Sequence, residues 1–255
     1  MAHIHTMQTN RFELKYVIEE ERAQAVREFA GAYLEPDEHA RDNPMCSYPV
    51  YSLYMDAPTL VLYRQTTEGL KNRFKLRIRF YDDEQTSPAF LEIKRRLSGI
   101  ICKERAALCR EGVEVLLGGG RPDLTHLVQS SGNRNAEGAL ERFCSLCEEL
   151  GAVGVTYVGY QREAYVQPDS DNLRVTLDRQ LHGQEFDVRE GLAVPTRAVF
   201  PNVDGVILEL KFVDRFPSWM RDMVWALDLD RCSMAKYVHC VEALDLHSSL
   251  CSSKS

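Results

Sequence analysis

Basic and apolar side chains alternate along the segment KNRFKLRIRFY at residues 71–81. Every odd-numbered position from Lys71 to Arg79 is basic, and the even-numbered positions from Phe74 onward are apolar. If this segment is a β-strand, its side chains point alternately to opposite faces, so that one face carries only positive charge. Neighbouring charges on that face lie about 7 Å apart and repel by about 0.6 kcal/mol in water, or by about 2–3 kcal/mol in a partly desolvated site. The row therefore predicts an anionic partner that offsets the repulsion.

Ionisable residues recur at every second position in five further segments, and most of them are basic. The rows are Arg11, Glu13 and Lys15; Glu92, Lys94 and Arg96; Lys103 and Arg105; Arg174 and Asp178; and Glu209 and Lys211. One interpretation is the solvated outer face of an amphipathic antiparallel sheet. The alternative is a barrel whose apolar exterior packs on helices and whose interior is charged. The richness of all six rows in Arg and Lys, opposite apolar faces that need covering, favours the second interpretation.

A charged interior requires a counter-charge, and a chain of several phosphates would supply it. Arginine binds phosphate oxygens with two parallel hydrogen bonds, and lysine acts as a point charge. The carboxylates Glu13, Glu92 and Glu209 would either hold a divalent metal that also bridges phosphates or pair with Arg and Lys. A metal-binding role is favoured mainly for Glu209.

The elements that must position these rows follow from hydrophobic periodicity. Eight or nine strands with a few helices predict a single antiparallel α+β domain that could close into a barrel. Within the helix predicted at 20–34, Tyr33 is expected to face inward. The predicted strands are 11–19, 50–58, 71–81, 89–97, 100–108, 153–166, 172–181, a weaker one near 184–200, and 205–213; the predicted helices are 20–34, 60–65, 112–118, 136–150, one that begins near Phe216, and 234–244.

The net charge, the apolar runs and the cysteines of the chain limit the classes of function that it can have. The net charge of −7 argues against a general nucleic-acid or membrane-surface binder, so any basic site must be local. The chain has no run of 18 apolar residues and no apolar signal core at its N-terminus. Cys144 and Cys147 lie on one apolar stripe of a predicted helix, which favours a core role over a redox or metal site. Reduced thiols fit best, and we expect a soluble, cytoplasmic protein.

A set of short segments carries a family resemblance when the segments are taken in order. They are RFELKY (11–16), SLYMD (52–56), KLRIRFY (75–81), LEIKRR (91–96), the arginine of YQREAY (160–165), LRVTLD (173–178), LELKF (208–212) followed by PSW (217–219), and AKY (235–237). Together they resemble the VTC domain, the polyphosphate polymerase branch of the triphosphate tunnel metalloenzymes and a relative of the CYTH proteins. The resemblance runs from about residue 10 to residue 245. It indicates a single domain at 10–246 between a flexible N-terminus (1–9) and a flexible tail (247–255).

The resemblance implies an eight-stranded antiparallel β-barrel, with helices packed outside and basic residues pointing into a tunnel. It also implies transfer of the γ-phosphoryl group of ATP to a growing polyphosphate chain, with Mn²⁺ or Mg²⁺ as cofactor. Glu209 would be the leading metal ligand and Glu13 a weaker one. The resemblance assigns catalysis to Arg77, Arg79, Lys94 and Lys211, and phosphate binding to Lys15, Lys75, Lys103, Arg162, Arg174 and Lys236.

Two positions depart from the pattern of the wider family. Arg11 stands where CYTH proteins have a glutamate, which removes one possible metal ligand and favours the polymerase branch. Ala235 stands where the family commonly has serine, which puts a hydroxyl contact beside Lys236 in doubt. With no companion SPX domain or membrane segment in view, we expect a bacterial stand-alone form with a separate membrane partner if the product is exported. Two alternatives stay open: a hydrolase of tripolyphosphate or nucleoside triphosphate on the same tunnel, and a non-catalytic polyphosphate-binding module.

Overall fold

The computed structural model describes residues 11–41, 43, 46–98, 100–128 and 134–248. The predicted flexible N-terminus (1–9) and most of the predicted tail lie outside the described residues. A short 3₁₀ turn follows the fourth helix at Leu124–His126. In chain order the strands and helices are β1 (Arg11–Ile18), α1 (Glu20–Ala30), β2 (Glu35–Pro36), α2 (Glu38–Arg41), β3 (Tyr48–Asp56), α3 (Val61–Thr67), β4 (Arg73–Phe80), β5 (Ala89–Leu97), β6 (Ile100–Leu108), α4 (Arg110–Leu117), α5 (Arg134–Leu150), β7 (Val153–Gln167), β8 (Ser170–Glu185), β9 (Val206–Val213), α6 (Ser218–Ala226) and α7 (Lys236–Ala243).

Eight of the described strands form a closed antiparallel barrel. Their order around the barrel is β7, β3, β4, β5, β6, β1, β9 and β8, and pairing of β8 with β7 closes it. The short strand β2 is an addition that pairs with β7. Closure leaves two faces, one outside and one inside, and the strand period of two assigns each side chain to one of them. The predicted fold class, an α+β eight-stranded antiparallel barrel with helices outside, is confirmed.

The outer face of β3 to β6 packs on helices α4 and α5. Leu76, Ile78 and Phe80 alternate with the basic row of β4 and are fully buried in one cluster with Val113 of α4 and Phe143 of α5. Burial of each such side chain contributes about 1.5–3 kcal/mol, so this contact fixes which face of β4 points outward. The basic face of β4 must then point into the barrel.

The opposite side of the barrel is covered in the same way by α1 and α6. Leu208 and Leu210 of β9 pack with Val26 of α1 and with Met220 and Met223 of α6. The intervening residues of β9 therefore face inward. Two helical layers on opposite sides thus exclude water from the outer face and leave the ionisable rows inside.

Helix α7 packs against the inner faces of β3 and β7 rather than the outer ones. Tyr54 and Tyr160 lie on the face opposite the α5 cluster, and they pack in a third cluster with Tyr237 of α7. Gly183 of β8 allows this approach, because a Cβ there would lie 2.9 Å from Cβ of Cys240. The interior is therefore charged along part of its circumference and lined by tyrosines and aliphatic residues along the rest.

Two element predictions were wrong. The predicted strand near 184–200 is the end of β8 followed by irregular chain, in which Val199 forms an isolated bridge to Gly183. The helix predicted at 20–34 ends at Ala30, and Tyr33 is 49% exposed and stacks on Trp219. In both cases the apolar residues that suggested the element pack on a neighbouring surface, but the strand or helix does not continue through them.

The pair Cys144 and Cys147 occupies the buried stripe of α5, as its spacing predicts. Burial raises the pKa of the Cys147 thiol to about 12, which keeps it protonated and unreactive. In the described part of the chain, none of the helices has both the length and the apolar character needed to cross a bilayer. The cytoplasmic location stays a prediction.

Candidate functional site in the barrel lumen

A buried carboxylate, Glu92, gathers four basic side chains on one wall of the lumen. One Glu92 carboxylate oxygen lies 2.6 Å from Arg77 Nη2 and 3.9 Å from Arg79 Nε. The other lies 2.6 Å from Lys103 Nζ and 3.4 Å from Arg105 Nε. Burial alone would raise the pKa of Glu92, but Arg77, Arg79 and Lys103 hold it well below its usual range. The strand register explains the cluster, because Arg77, Glu92 and Arg105 are directly opposite one another on β4, β5 and β6.

A second carboxylate, Glu209, gathers four basic side chains on the opposite wall. Its oxygens lie 2.7 Å from Lys211 Nζ, 2.8 Å from Lys236 Nζ, 3.0 Å from Lys15 Nζ and 3.5 Å from Arg162 Nη2. Burial opposes ionisation of Glu209, but these cations outweigh it and hold its pKa well below the usual range. Glu209 is therefore an anion in the folded protein, with residues of four different elements around it.

Glu13 joins the two walls. It accepts a hydrogen bond from Lys94 Nζ at 2.8 Å and lies 3.2 Å from Lys15 Nζ. Lys15 thus lies between Glu13 and Glu209, and it also donates to the Met234 carbonyl at 2.9 Å. Two carboxylates from neighbouring strands consequently converge on one cation.

Arg162 and Arg174 are held by carboxylates that the sequence did not single out for this purpose. Asp178 accepts two hydrogen bonds of 2.7 Å from Arg162. Arg174 donates to Asp37 at 2.5 Å and to the Tyr48 hydroxyl at 3.3 Å. Asp37 precedes α2, outside every charged row, so period two gives no signal for it.

Tyrosine hydroxyls orient Arg77 and Arg79 of β4, and sequence reasoning missed these hydroxyls. Arg77 Nη1 donates to the Tyr54 hydroxyl at 3.2 Å, and Arg79 Nη2 donates to the Tyr160 hydroxyl at 3.2 Å. Arg79 Nε also lies 3.4 Å from Ser52 Oγ. The spacing of Ser52 and Tyr54, two positions apart, places both hydroxyl groups on one face of β3. Their arginine partners could not be predicted from this spacing, because they depend on the register between strands.

The lumen therefore holds a large excess of basic groups. Lys75 lies on the same inward row, directly opposite Lys94. Among the residues that the structure describes, eleven basic residues against five carboxylates leave six positive formal charges. The basic residues are Lys15, Lys75, Arg77, Arg79, Lys94, Lys103, Arg105, Arg162, Arg174, Lys211 and Lys236, and the carboxylates are Glu13, Asp37, Glu92, Asp178 and Glu209. All ten basic residues predicted as catalytic or phosphate-binding belong to this set, as do both predicted metal ligands.

The oxygen donors of the lumen suit a hard cation only in part. Across the described residues, no three His, Cys, Asp or Glu side chains come together as a metal-binding group. Glu13 and Glu209, however, both lie within 3.2 Å of the same Lys15 ammonium, so they already share one cation position. Mg²⁺ usually binds through one or two carboxylates together with phosphate oxygens and water. The pair therefore fits a metal whose other ligands are phosphates and water.

A separate cavity of about 840 Å³ lies away from these residues. Its lining includes Leu116 of α4, Val153 at the start of β7, Phe186 and Arg197. None of the eleven basic residues and five carboxylates of the lumen, called the lumen set below, lines this cavity. The chemistry of the charged rows therefore belongs to the barrel interior and not to this cavity.

Comparison with known proteins agrees with the order of motifs along the chain. The family model of the VTC domain matches residues 10–245. Comparison with curated proteins gave no match. Among solved structures, a candidate adenylate cyclase of Bacillus halodurans is 10% identical with a TM-score of 0.48, over 89% of this chain and 94% of that one. A Pyrococcus horikoshii protein is 12% identical with a TM-score of 0.43, over 93% of this chain and 98% of that one. Because the family model covers nearly the whole chain, the chain belongs to the VTC domain family.

Proposed function

We propose that this protein is a polyphosphate polymerase that transfers the γ-phosphoryl group of ATP to the end of a polyphosphate chain inside the barrel. The observation that supports it is the lumen set, with six uncompensated positive formal charges. Self-repulsion on this scale destabilises an empty lumen, and a linear polyanion offsets it along its length. Membership of the VTC domain family supports the same substrate class.

The reaction needs positioning and charge neutralisation more than covalent help from the protein. The bond from the γ-phosphorus to the β,γ-bridging oxygen breaks, a bond from that phosphorus to a terminal oxygen of the acceptor forms, and ADP leaves. Negative charge is spread over the three equatorial oxygens of the transferred group, and fixed cations stabilise it. The acceptor phosphate is itself the nucleophile.

Arg77 and Arg79 are the side chains best prepared to hold the transferred group. They are two residues apart on the inner face of β4, and both guanidinium groups contact Glu92 and a tyrosine hydroxyl. These contacts fix the orientation of the planar groups before substrate arrives, which reduces the reorganisation that binding requires. Arg79 is only 7% exposed, so its interactions with phosphate are weakly screened by water.

The remaining basic residues extend the anion path along the lumen. Lys94 and Lys211 approach from β5 and β9, and Glu13 and Glu209 are their partners in the absence of phosphate. Phosphate oxygens would replace those carboxylates as acceptors. We assign the same role of phosphate binding to Lys15, Lys75, Lys103, Arg162, Arg174 and Lys236.

A divalent cation, Mn²⁺ or Mg²⁺, would be held by Glu209 and Glu13. When bound there with phosphate oxygens, it shields the negative charge of the triphosphate. The two carboxylates of the chain keep their ionised state at neutral pH, because surrounding cations lower the pKa of each despite burial.

One incubation tests the proposal against its alternatives. The protein is mixed with ATP and Mn²⁺ or Mg²⁺, and ADP, free phosphate and long-chain polyphosphate are measured. ADP and polymer in parallel are expected. Free phosphate without polymer would indicate a hydrolase, and tight binding of tripolyphosphate without turnover would indicate a binding module. Glu209→Gln should raise the metal concentration needed for half-maximal activity, whereas Glu104→Gln, on the outer face of β6, should not.

A further inference from the structure

Lys75 occupies an unusual place in the lumen, because it lies at one end of a row of lysines that cross three strands. Lys75 of β4 is directly opposite Lys94 of β5, which is directly opposite Lys103 of β6. Directly opposite residues of an antiparallel pair have Cβ atoms about 4.5–5.5 Å apart, and like charges at that distance destabilise the sheet. The row can persist only if carboxylates neutralise its members or if one member gives up its charge.

Carboxylates neutralise the other two members of the row but not Lys75. Lys94 pairs with Glu13 at 2.8 Å, and Lys103 pairs with Glu92 at 2.6 Å. Within the part of the chain that the structure describes, the side-chain amine of Lys75 forms no hydrogen bond and no ion pair. Its side chain is nevertheless partly buried by the barrel wall.

The carboxylate at the end of the neighbouring strand β3 is already engaged. Asp56 accepts hydrogen bonds from the backbone N–H groups of Ala57, Leu62 and Tyr63 and from the Tyr237 hydroxyl. Asp56 therefore anchors the start of α3 and the side of α7. It contributes no ion pair to Lys75.

The charged groups that act most strongly on Lys75 have the same sign. They are Lys15 of β1, Lys94 of β5, and Arg73 and Arg77 of its own strand. Burial and then these four cations hold the pKa of Lys75 well below its usual range. A polyanion reverses the second effect, because a phosphate beside the amine stabilises the ammonium form.

We propose that Lys75 takes up one proton from solvent when phosphates enter the lumen and then binds them as an ammonium group. Resting neutrality relieves the empty lumen of one repelling charge, and protonation returns that charge when an anion is present to use it. Binding of polyphosphate would then weaken as the pH rises, since the proton must be drawn from a more dilute supply. The inference rests on the proposed function, because it requires phosphates in the lumen.

Calorimetric titration of the protein with tripolyphosphate at about pH 8, in two buffers of different ionisation enthalpy, counts the protons taken up on binding. Lys75→Arg keeps a permanent charge at the position, so this variant should still bind tripolyphosphate but take up about one proton fewer than the wild type. Lys75→Gln should also take up about one proton fewer, with weaker binding. Lys71→Arg, a matched change at the exposed beginning of the same segment, should take up as many protons as the wild type.

The two ways of failing are distinct. Equal proton uptake by wild type and Lys75→Arg, with tripolyphosphate bound by both, would overturn this inference and leave the proposed function intact. Absence of binding by the folded wild-type protein would overturn the proposed function and the inference together. Comparison with Lys75→Arg also removes protons exchanged by tripolyphosphate itself and by Lys103, since both proteins share them.

Discussion

Lys236 Nζ lies 2.8 Å from Glu209 Oε1 and 2.7 Å from Asp178 Oδ2, so the first residue of α7 is tied to the inner faces of β9 and β8. All three side chains are buried. A buried ion pair that loses one partner costs about 3–5 kcal/mol, because the other charge remains without compensation. The position of α7 is therefore linked to the same carboxylate that gathers Lys15 and Lys211.

Replacement of Lys236 should loosen α7 selectively. In Lys236→Gln, Asp178 and Glu209 lose a shared cation, and the helix keeps its apolar contacts and the hydrogen bond from Tyr237 to Asp56. We expect hydrogen exchange of the α7 amides (236–243) to accelerate by about tenfold or more, while α5 is much less affected. Mass spectrometry of exchanged peptides measures this. Glu242→Gln, on the exposed side of α7, is the control, and equal acceleration in the two variants would contradict the assignment.

The inward rows could be predicted from the sequence because their period is local. Residues 75, 77 and 79 share a face whatever their neighbours are, and Leu76 and Ile78 must then face a covering layer. The order of the motifs added the family, and with it closure of the barrel. These two sources together were enough to name Arg77, Arg79, Lys94 and Lys211 as occupants of one interior.

The partners of those residues could not be predicted, because they depend on register and on distant segments. Arg77 meets Glu92 through the pairing of β4 with β5, and a shift by one residue would separate them. Asp178 and Tyr160 become lumen ligands only because β7 pairs with β8 and closes the barrel. The prediction that Tyr33 faces inward on a helix was wrong for a related reason, because an apolar stripe does not reveal where the helix ends.

Glu92 should be essential to the stability of the lumen in the absence of phosphate. In Glu92→Gln, Arg77, Arg79, Lys103 and Arg105 keep their charges and lose their common partner. Breaking a buried ionic cluster in this way should lower the free energy of unfolding by about 3–5 kcal/mol. Urea denaturation measures the loss, and saturating tripolyphosphate should recover part of it by binding the folded state.

The matched control for Glu92 is Glu148→Gln on the exposed surface of α5, which should not shift the urea midpoint measurably. An unchanged midpoint in Glu92→Gln would mean that the four cations do not depend on this carboxylate. Equal gains from tripolyphosphate in wild type and variant would instead show that phosphate does not take its place.

Arg79 should be needed as an arginine and not merely as a positive charge. Its guanidinium contacts Tyr160 through Nη2 and both Ser52 and Glu92 through Nε, whereas lysine offers a single ammonium. We expect Arg79→Lys to fold normally and to lower kcat/KM for ATP by about 10²-fold, equivalent to about 2.7 kcal/mol of transition-state stabilisation.

Arg95→Lys provides the control for Arg79→Lys, because Arg95 lies on the outer face of β5 and pairs with Glu104. Its steady-state kinetics should match those of the wild type. Wild-type kinetics in Arg79→Lys would contradict the assignment of the β4 row to the reacting phosphate.

Acid should unfold the protein through the lumen carboxylates. Burial alone would raise the pKa of Glu92 and Glu209, but the cations around each hold it below the usual value of 4.5. Above that value both are ionised in the folded and unfolded states, and their pairing stabilises the fold in full. As the pH falls below about 4.5, the unfolded chain binds protons that the folded protein does not, so stability is lost progressively. We expect the free energy of unfolding to fall by about 2–3 kcal/mol or more between pH 5 and pH 3.

Urea denaturation at a series of pH values measures this loss of stability. Glu209→Gln should be less stable than the wild type at pH 6 and should lose less stability on acidification, because one titrating group is gone. A urea midpoint that stays constant from pH 6 to pH 3 in the wild type would show that these carboxylates do not carry the stabilising charge.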